Sequence, residues 1–374
     1  MVWTLGIATA PVPEERRLAL TPELVAKYEQ LGASIVLAKG AGLRAHWPDA
    51  AFEGVTWVDS PQAVFARADV VACVMPPTLD EIAAMRPGSV LVGALRPWAS
   101  AQQIDALCAQ RVTAFALELL PRITRAQPMD ILSSQATVAG YEAALIAADH
   151  APKFFPMLTY AAGTIRPAKV FVIGCGVAGL QAIATARRLG AMVEAYDVRP
   201  ETREQVASLG AKFVDTGVVA VGAGGYAREL TEAEQAQQTA VLSKAVAAAD
   251  VVITTASVPG RPAPKIVTQE MLAAMRPGAV VVDLAAEQGG NVEGTVLGEK
   301  RWIGDVLVIG PAFIQSRMPV HASEMFAKNV WHFLAPHVQD GALAWQWEDE
   351  IVTATCITRD GALVNERVRE WLGG

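Results

Sequence analysis

Short apolar runs alternate along this chain with longer segments in which apolar residues return every third or fourth position, the pattern of buried strands separated by one-faced helices. In the first third, residues 5–8, 34–38, 69–74 and 89–93 read as strands, and 61–66 and 100–110 as helices. Thr21-Pro22-Glu23 opens a further helix, where Thr21 can cap, Pro22 suits the first helical position and Gly32 closes the element. In the second half, residues 169–173, 192–196, 212–215, 251–254, 279–283 and 306–309 supply about six strands, the usual complement of a doubly wound sheet. Asp69-Val70-Val71 and Met85-Arg86-Pro87-Gly88 recur as Asp250-Val251-Val252 and Met275-Arg276-Pro277-Gly278, because a helix end, a Pro-Gly turn and a buried strand work in any α/β protein.

Two longer helical stretches stand apart. Residues 133–151 carry small apolar residues and Glu142 up to the stop at Pro152, and a second helix starts near Ser323 and runs through Phe326, Val330 and Phe333 to Leu334. Beyond it, residues 351–357 alternate in strand fashion, and Arg359-Asp360-Gly361 marks a hairpin turn. The expected fold is α/β, with two doubly wound Rossmann-like domains joined by two long helices across a cleft. The first is 1–134 completed by 322–374, and the second is 135–321.

One turn carries recognisable chemistry. The run Val170-Phe171-Val172-Ile173 feeds Gly174-Cys175-Gly176-Val177-Ala178-Gly179, a G-x-G-x-x-G turn between a strand and a helix. Gly174 permits the tight turn, Gly176 lets a pyrophosphate approach the backbone, and Gly179 lets the helix pack on the strand. The helix's first N–H groups attract the phosphate charge. Asp197 follows roughly 20 residues on, at the end of the next strand, where a carboxylate accepts hydrogen bonds from a ribose diol. This favours NAD(H), while the nearby Arg199 leaves NADP(H) open. Residues 216–234 break the strand–helix rhythm with Gly222-Ala223-Gly224-Gly225-Tyr226, an exposed loop whose one aromatic suits a lid better than filler.

Composition narrows the classes. A net charge of −7 without a Lys/Arg block argues against nucleic acid or anionic lipid as a partner. Cys73, Cys108, Cys175 and Cys356 lack metal or redox spacing, and the five histidines are equally scattered, so no metal is expected. The N-terminus lacks a secretory signal, and no stretch approaches the ~20 apolar residues of a membrane helix, so a soluble cytoplasmic chain is expected.

The segment Glu118-Leu119-Leu120-Pro121-Arg122-Ile123-Thr124-Arg125-Ala126-Gln127-Pro128-Met129-Asp130-Ile131-Leu132-Ser133-Ser134-Gln135 reads physically only as a polar loop before a helix. It closely resembles the NAD(H)-binding component of proton-translocating NAD(P) transhydrogenase, within the alanine dehydrogenase superfamily. The likeness extends from Glu14-Arg16-Arg17 through the glycine turn, Gly224-Gly225-Tyr226-Ala227, Pro262-Ala263-Pro264, Asp283-Leu284-Ala285 and Gly289-Gly290-Asn291 to Thr355-Cys356-Ile357-Thr358-Arg359-Asp360-Gly361. Pro128 and the stretch Pro311-Ala312-Phe313-Ile314-Gln315 depart from the family's pattern.

The resemblance implies that Arg122, Gln127, Asp130 and Ser133 surround the nicotinamide, with Tyr226 on a mobile loop that closes over the nucleotide. It implies further cofactor contacts at Val177, Ala178, Val198, Arg199, Thr255, Ala256 and Pro264. It also implies a homodimer, NAD(H) bound here, NADP(H) on a partner subunit, and separate membrane subunits that hold the chain at the cytoplasmic face of the inner membrane. Two other functions compete. An amino-acid dehydrogenase would need the Lys and His which that relative uses, and Cys73 and Ala94 stand at the corresponding strand ends, although Arg17 matches its substrate Arg. A non-catalytic NAD-binding protein would not need the 122–133 loop.

Overall fold

The computed structural model describes residues 3–218, 230–257 and 260–373, and these form two compact units. One comprises Met1–Gln135 with Gln315–Gly374, and the other Ala136–Ile314.

In the first unit an eight-stranded sheet runs Ala362–Leu363, Cys356–Arg359, Thr113–Ala116, Val90–Gly93, Val70–Cys73, Trp3–Ile7, Ala33–Ala38, Thr56–Val58. From Thr113–Ala116 to Thr56–Val58 every pairing is parallel, and the two C-terminal strands add antiparallel at the edge. The central strands are apolar throughout because both faces are covered. Leu5, Ile7, Val70, Ala72 and Val92 point into one core with Phe115, Phe326 and Phe333, whereas Val71, Leu91 and Ala114 point into another with Ile104 and Leu107. Helix starts follow from local chemistry: Ser60 and Ser100 accept backbone N–H bonds, and Thr78 forms a capping box with Glu81.

The second unit holds a seven-stranded sheet in the order Lys212–Phe213, Met192–Tyr196, Lys169–Ile173, Val251–Thr254, Val280–Asp283, Val306–Ile309, Lys300–Ile303. All pairings are parallel except the last. Successive strands run outward in one direction from Lys169–Ile173 and in the other from Val251–Thr254, so the strand order reverses between these two. Ligands of open α/β sheets bind at the carboxyl ends of strands at such a reversal.

Four local expectations need correction. Residues 351–355 form not a strand but the helix Glu350–Thr355, because Asp349 accepts the Ile351 N–H and caps it, and strand geometry begins only at Cys356–Arg359. The helix expected at Ser323 begins at Pro319, where a missing N–H costs nothing; the Ser323 hydroxyl instead accepts the Leu18 N–H. Thr21 occupies the N-cap of Pro22–Gln30 without a side-chain bond, and the strand at 212 ends at Phe213. The helix at 133–151 spans Ile131–His150, and Lys300–Ile303 is a strand that its mostly polar sequence did not announce.

Between the first strand and first helix, the loop is tied down by buried polar groups. Glu15 is 2% exposed. Its carboxylate accepts from Arg17 Nε at 2.8 Å, from Arg17 Nη2 at 2.5 Å and from the Ser316 hydroxyl at 2.6 Å. Arg17 Nη1 in turn donates to Gln135 Oε1 at 2.8 Å. Burial alone would push the Glu15 carboxyl up, but Arg17 and Ser316 together hold it below its ordinary 4.5. That contribution is complete above the ordinary value and is lost as pH falls through the lower folded one. Removing Arg17 strands a buried carboxylate, so Arg17→Leu should cost about 3–5 kcal/mol. In urea unfolding, Glu15→Gln/Arg17→Leu should recover part of that loss; equal single and double losses would remove the pair from the account.

Candidate nucleotide-binding site

At the strand reversal of the second unit the chain turns at Gly174, with a φ of 93° that L side chains rarely adopt. Thr255, following the neighbouring strand, donates its hydroxyl to the Gly174 carbonyl at 3.0 Å and its N–H to the Ile173 carbonyl at 2.8 Å. A Cβ at Gly179 would lie 1.8 Å from the Gly174 carbonyl oxygen, so this glycine is set by close helix–strand packing. Gly140 does the same for the helix Ile131–His150, since its Cβ would fall 2.0 Å from the Ala178 carbonyl oxygen.

Gly176 differs. Its φ of −75° suits any residue, and a Cβ there would meet nothing nearer than Arg199 Nη2 at 4.0 Å. No protein packing requires glycine, whereas a ligand drawn against the backbone would. Gly176 is also the N-cap of Val177–Arg188 without a side-chain bond, so the first-turn N–H groups of Val177, Ala178 and Gly179 face the same side as that open cradle. Val177 is 42% exposed, an apolar residue uncovered at the mouth of the turn. The donor set and the cradle fit a pyrophosphate.

Asp197 ends the strand Met192–Tyr196 and is buried. One carboxylate oxygen accepts from Arg199 N and Nε at 2.9 Å each, and the other from Cys175 N at 2.7 Å and Arg199 Nη2 at 2.8 Å. A carboxylate offers about four acceptor positions. Asp197 is therefore held against the glycine turn by Cys175, and Arg199 covers the face expected to meet a ribose diol. Val198 packs partly into the core, beside Tyr196.

Beyond Thr255, Ala256 is pinned through both backbone groups by fully buried Asn291, whose Oδ1 accepts from Ala256 N at 2.9 Å and whose Nδ2 donates to Ala256 O at 2.7 Å and to Pro264 O at 2.9 Å. Asp283, equally buried, accepts from Thr254 Oγ1, Ala285 N, Val292 N and Thr295 Oγ1. Sequence reasoning assigned no role to Asn291, Asp283 or Gly140. The only signal for the first two was their place in motifs shared with the resembled family, and for Gly140 a glycine inside a helix. Tyr226 lies outside the described residues.

In the first unit the 122–133 segment is more ordered than a polar loop. Thr124–Met129 is a 3-10 turn with Pro128 inside it, buried through Ala126 and Met129 while Arg122 and Gln127 are exposed. Asp130 stands just before the long helix and accepts from Ser133 N at 2.9 Å and Ser133 Oγ at 2.5 Å. It is thus a helix cap, and it holds Ser133. Arg125 pairs with Asp349.

At the strand ends of this unit, Cys73 is 2% exposed with burial pushing its thiol well above the ordinary range, and Ala94 has no titratable group. Arg17 is committed to Glu15. Phe313 takes a left-handed φ of 47°, a costly conformation for a bulky residue.

A glycine turn at the strand reversal, an open cradle at Gly176 and an acid at the next strand end define a dinucleotide-binding protein of the doubly wound α/β class. Comparison with known proteins narrows this. Residues 6–139 match the family model for the alanine dehydrogenase/PNT N-terminal domain, and 143–366 that for the C-terminal domain. The chain belongs to the alanine dehydrogenase/PNT family. It is 44% identical over 366 residues to an NAD(P) transhydrogenase alpha subunit of Rhodospirillum rubrum, covering 94% of this chain and 95% of the relative. It is 30% identical to alanine dehydrogenase of Mycobacterium tuberculosis, covering 99% and 96%. The crystal structure of transhydrogenase from Sinorhizobium meliloti superposes with a TM-score of 0.88 at 46% identity, covering 96% of this chain and all of the other. L-alanine dehydrogenase, at 22% identity and a TM-score of 0.81, shares the fold.

The two glycines give opposite predictions. Gly176→Ala should cost less than about 1 kcal/mol of stability and weaken NADH binding by about tenfold. Gly179→Ala must shift backbone and should cost about 1–3 kcal/mol of stability. Calorimetric titration and thermal melts of both variants decide it; unchanged NADH affinity in Gly176→Ala would contradict the cradle.

Proposed function

We propose that this chain is the NAD(H)-binding subunit of an NAD(P) transhydrogenase, exchanging hydride with NADP(H) held on a partner subunit and coupled through membrane subunits to proton translocation. The observation that carries the reading is the pair Cys73 and Ala94. The strand ends that would hold a dehydrogenase's proton-transfer pair carry a buried thiol and a methyl group, while the 122–133 segment is retained. Oxidising an amino acid requires a group that moves a proton. Hydride passage between two nicotinamides requires orientation, proximity and dryness.

On this reading the bound dinucleotide supplies the hydride. Gly174, Gly176, Val177, Ala178 and Gly179 receive its pyrophosphate on backbone N–H groups. Asp197 takes the adenine ribose in place of Arg199, which selects NADH over NADPH because the carboxylate opposes a 2′-phosphate. Val198, Thr255, Ala256 and Pro264 line the nucleotide's path, and Tyr226 covers it. Gln127 orients the carboxamide or ribose of the nicotinamide, with Arg122 neutralising phosphate and Asp130 and Ser133 fixing the segment. The chain works as a dimer on the cytoplasmic face, held there by its partners. Full-length likeness to transhydrogenase alpha subunits supports the reading. Among the described residues no helix is long and apolar enough to cross a membrane, consistent with partners that carry the membrane part.

The test mixes the purified chain with an NADP(H)-binding transhydrogenase component and follows single-turnover hydride transfer from NADH. Transfer is expected, with no NADH formed from NAD⁺ and L-alanine. Gln127→Asn should lower the transfer rate by up to about 10²-fold while NADH affinity stays nearly constant. Silence with the partner, or robust oxidation of an amino acid, would sink the assignment.

A further inference from the structure

The segment that carries Gln127 is held from an unexpected side. Asn329 lies on the helix Pro319–Leu334, on the face that also buries Phe326, Val330 and Phe333, and is only 7% exposed. An amide on such a face is costly unless it is fully bonded. Its Nδ2 donates to the Pro128 carbonyl at 2.7 Å, and its Oδ1 accepts from the Ser134 hydroxyl at 2.6 Å. A carbonyl can only accept, so the Pro128 contact fixes which way the amide points.

The two partners matter because of where they stand. Pro128 directly follows Gln127, and Ser134 directly follows Ser133, so one side chain clips both ends of the stretch that Asp130 caps between them. Pro128 has no N–H and sits inside the 3-10 turn Thr124–Met129. The Asn329 bond to its carbonyl therefore fixes the peptide next to Gln127. At the other end, Gln135 Nε2 donates to Ser134 Oγ at 3.3 Å and to the Ala322 carbonyl at 3.1 Å, and its Oε1 receives Arg17. Asn329 thus joins the Gln127 turn to the buried network that ends at Glu15. Gln127, exposed as it is, inherits its position from that buried chain.

We infer that Asn329 is a positioning residue for Gln127, setting the approach of the nicotinamide through the Pro128 carbonyl and the Ser134 hydroxyl without touching the nucleotide. The inference rests on the transhydrogenase reading above. Asn329→Asp removes the donor and sets a carboxylate against the Pro128 carbonyl. Asn329→Ala removes both bonds, and Ser134→Ala removes one while leaving Pro128 held.

The experiment uses the full chain with the NADP(H)-binding component, and measures NADH affinity by calorimetry, single-turnover transfer by stopped flow, and thermal melts. Asn329→Asp and Asn329→Ala should slow transfer by about 10- to 100-fold, with NADH affinity within about twofold of wild type. Ser134→Ala, which keeps the Pro128 bond and serves if an Asn329 variant fails to fold, should fall between them and wild type. Asn329→Ala combined with Gln127→Asn should slow transfer by less than the product of the single effects, because both act through the same amide. A purely structural residue would lower affinity and rate together and multiply freely with Gln127→Asn, and that result overturns the inference. So does an unchanged transfer rate in folded variants. If the wild-type chain itself fails to transfer hydride, the reading beneath the inference is what fails.

Discussion

The second unit depends on one close approach of backbone to backbone. The carbonyl of Gly174 occupies the place where a Cβ on Gly179 would fall, and Thr255 closes the gap by donating its hydroxyl to that same oxygen. This contact sets where the helix Val177–Arg188 begins and which way its first N–H groups point. The strand reversal supplies the crevice, but this approach makes it an anion site. Asp197, pulled in by Cys175 N, and Ala256, pinned by Asn291, are held by hydrogen bonds to or beside the same turn. The buried polar groups around it are bonded to backbone rather than to one another, as a site built to keep its shape before binding requires.

Much of this was legible in the sequence because parallel strands covered on both faces must be apolar throughout. Residues 169–173, 192–196 and 251–254 needed nothing beyond that rule. The rule fails where local bonds outweigh the pattern. Ile351, Thr353, Thr355 and Ile357 alternate like a strand, yet Asp349 caps a helix there, and the hydroxyls of Thr353 and Thr355 bond back to the carbonyls of Asp349 and Ile351. Lys300–Ile303 failed in the other direction: Lys300, Arg301 and Trp302 are exposed, and only pairing with Val306–Ile309 makes them a strand.

The candidate site divides along the same line. The glycine turn announced itself because each glycine has a local reason, and the open space at Gly176 adds one the sequence alone could not show. The 122–133 segment carried no physical signal of its own; family resemblance marked it. Its order comes from residues far away in sequence, through Asn329 to Pro128 and Asp349 to Arg125. Long-range polar contacts of this kind have no periodicity to read.

The absence of an acid–base pair at Cys73 and Ala94 and the presence of a held amide at Gln127 describe a site that orients a nicotinamide and leaves protons alone. That claim is tested most directly by isotope. NADH carrying deuterium at the transferred C4 position, mixed with this chain and NADP⁺ on the partner component, should yield deuterated NADPH with no loss of label to water. Unlabelled NADPH, or deuterium released to solvent, would mean that a protein group handles the hydrogen, contradicting the account.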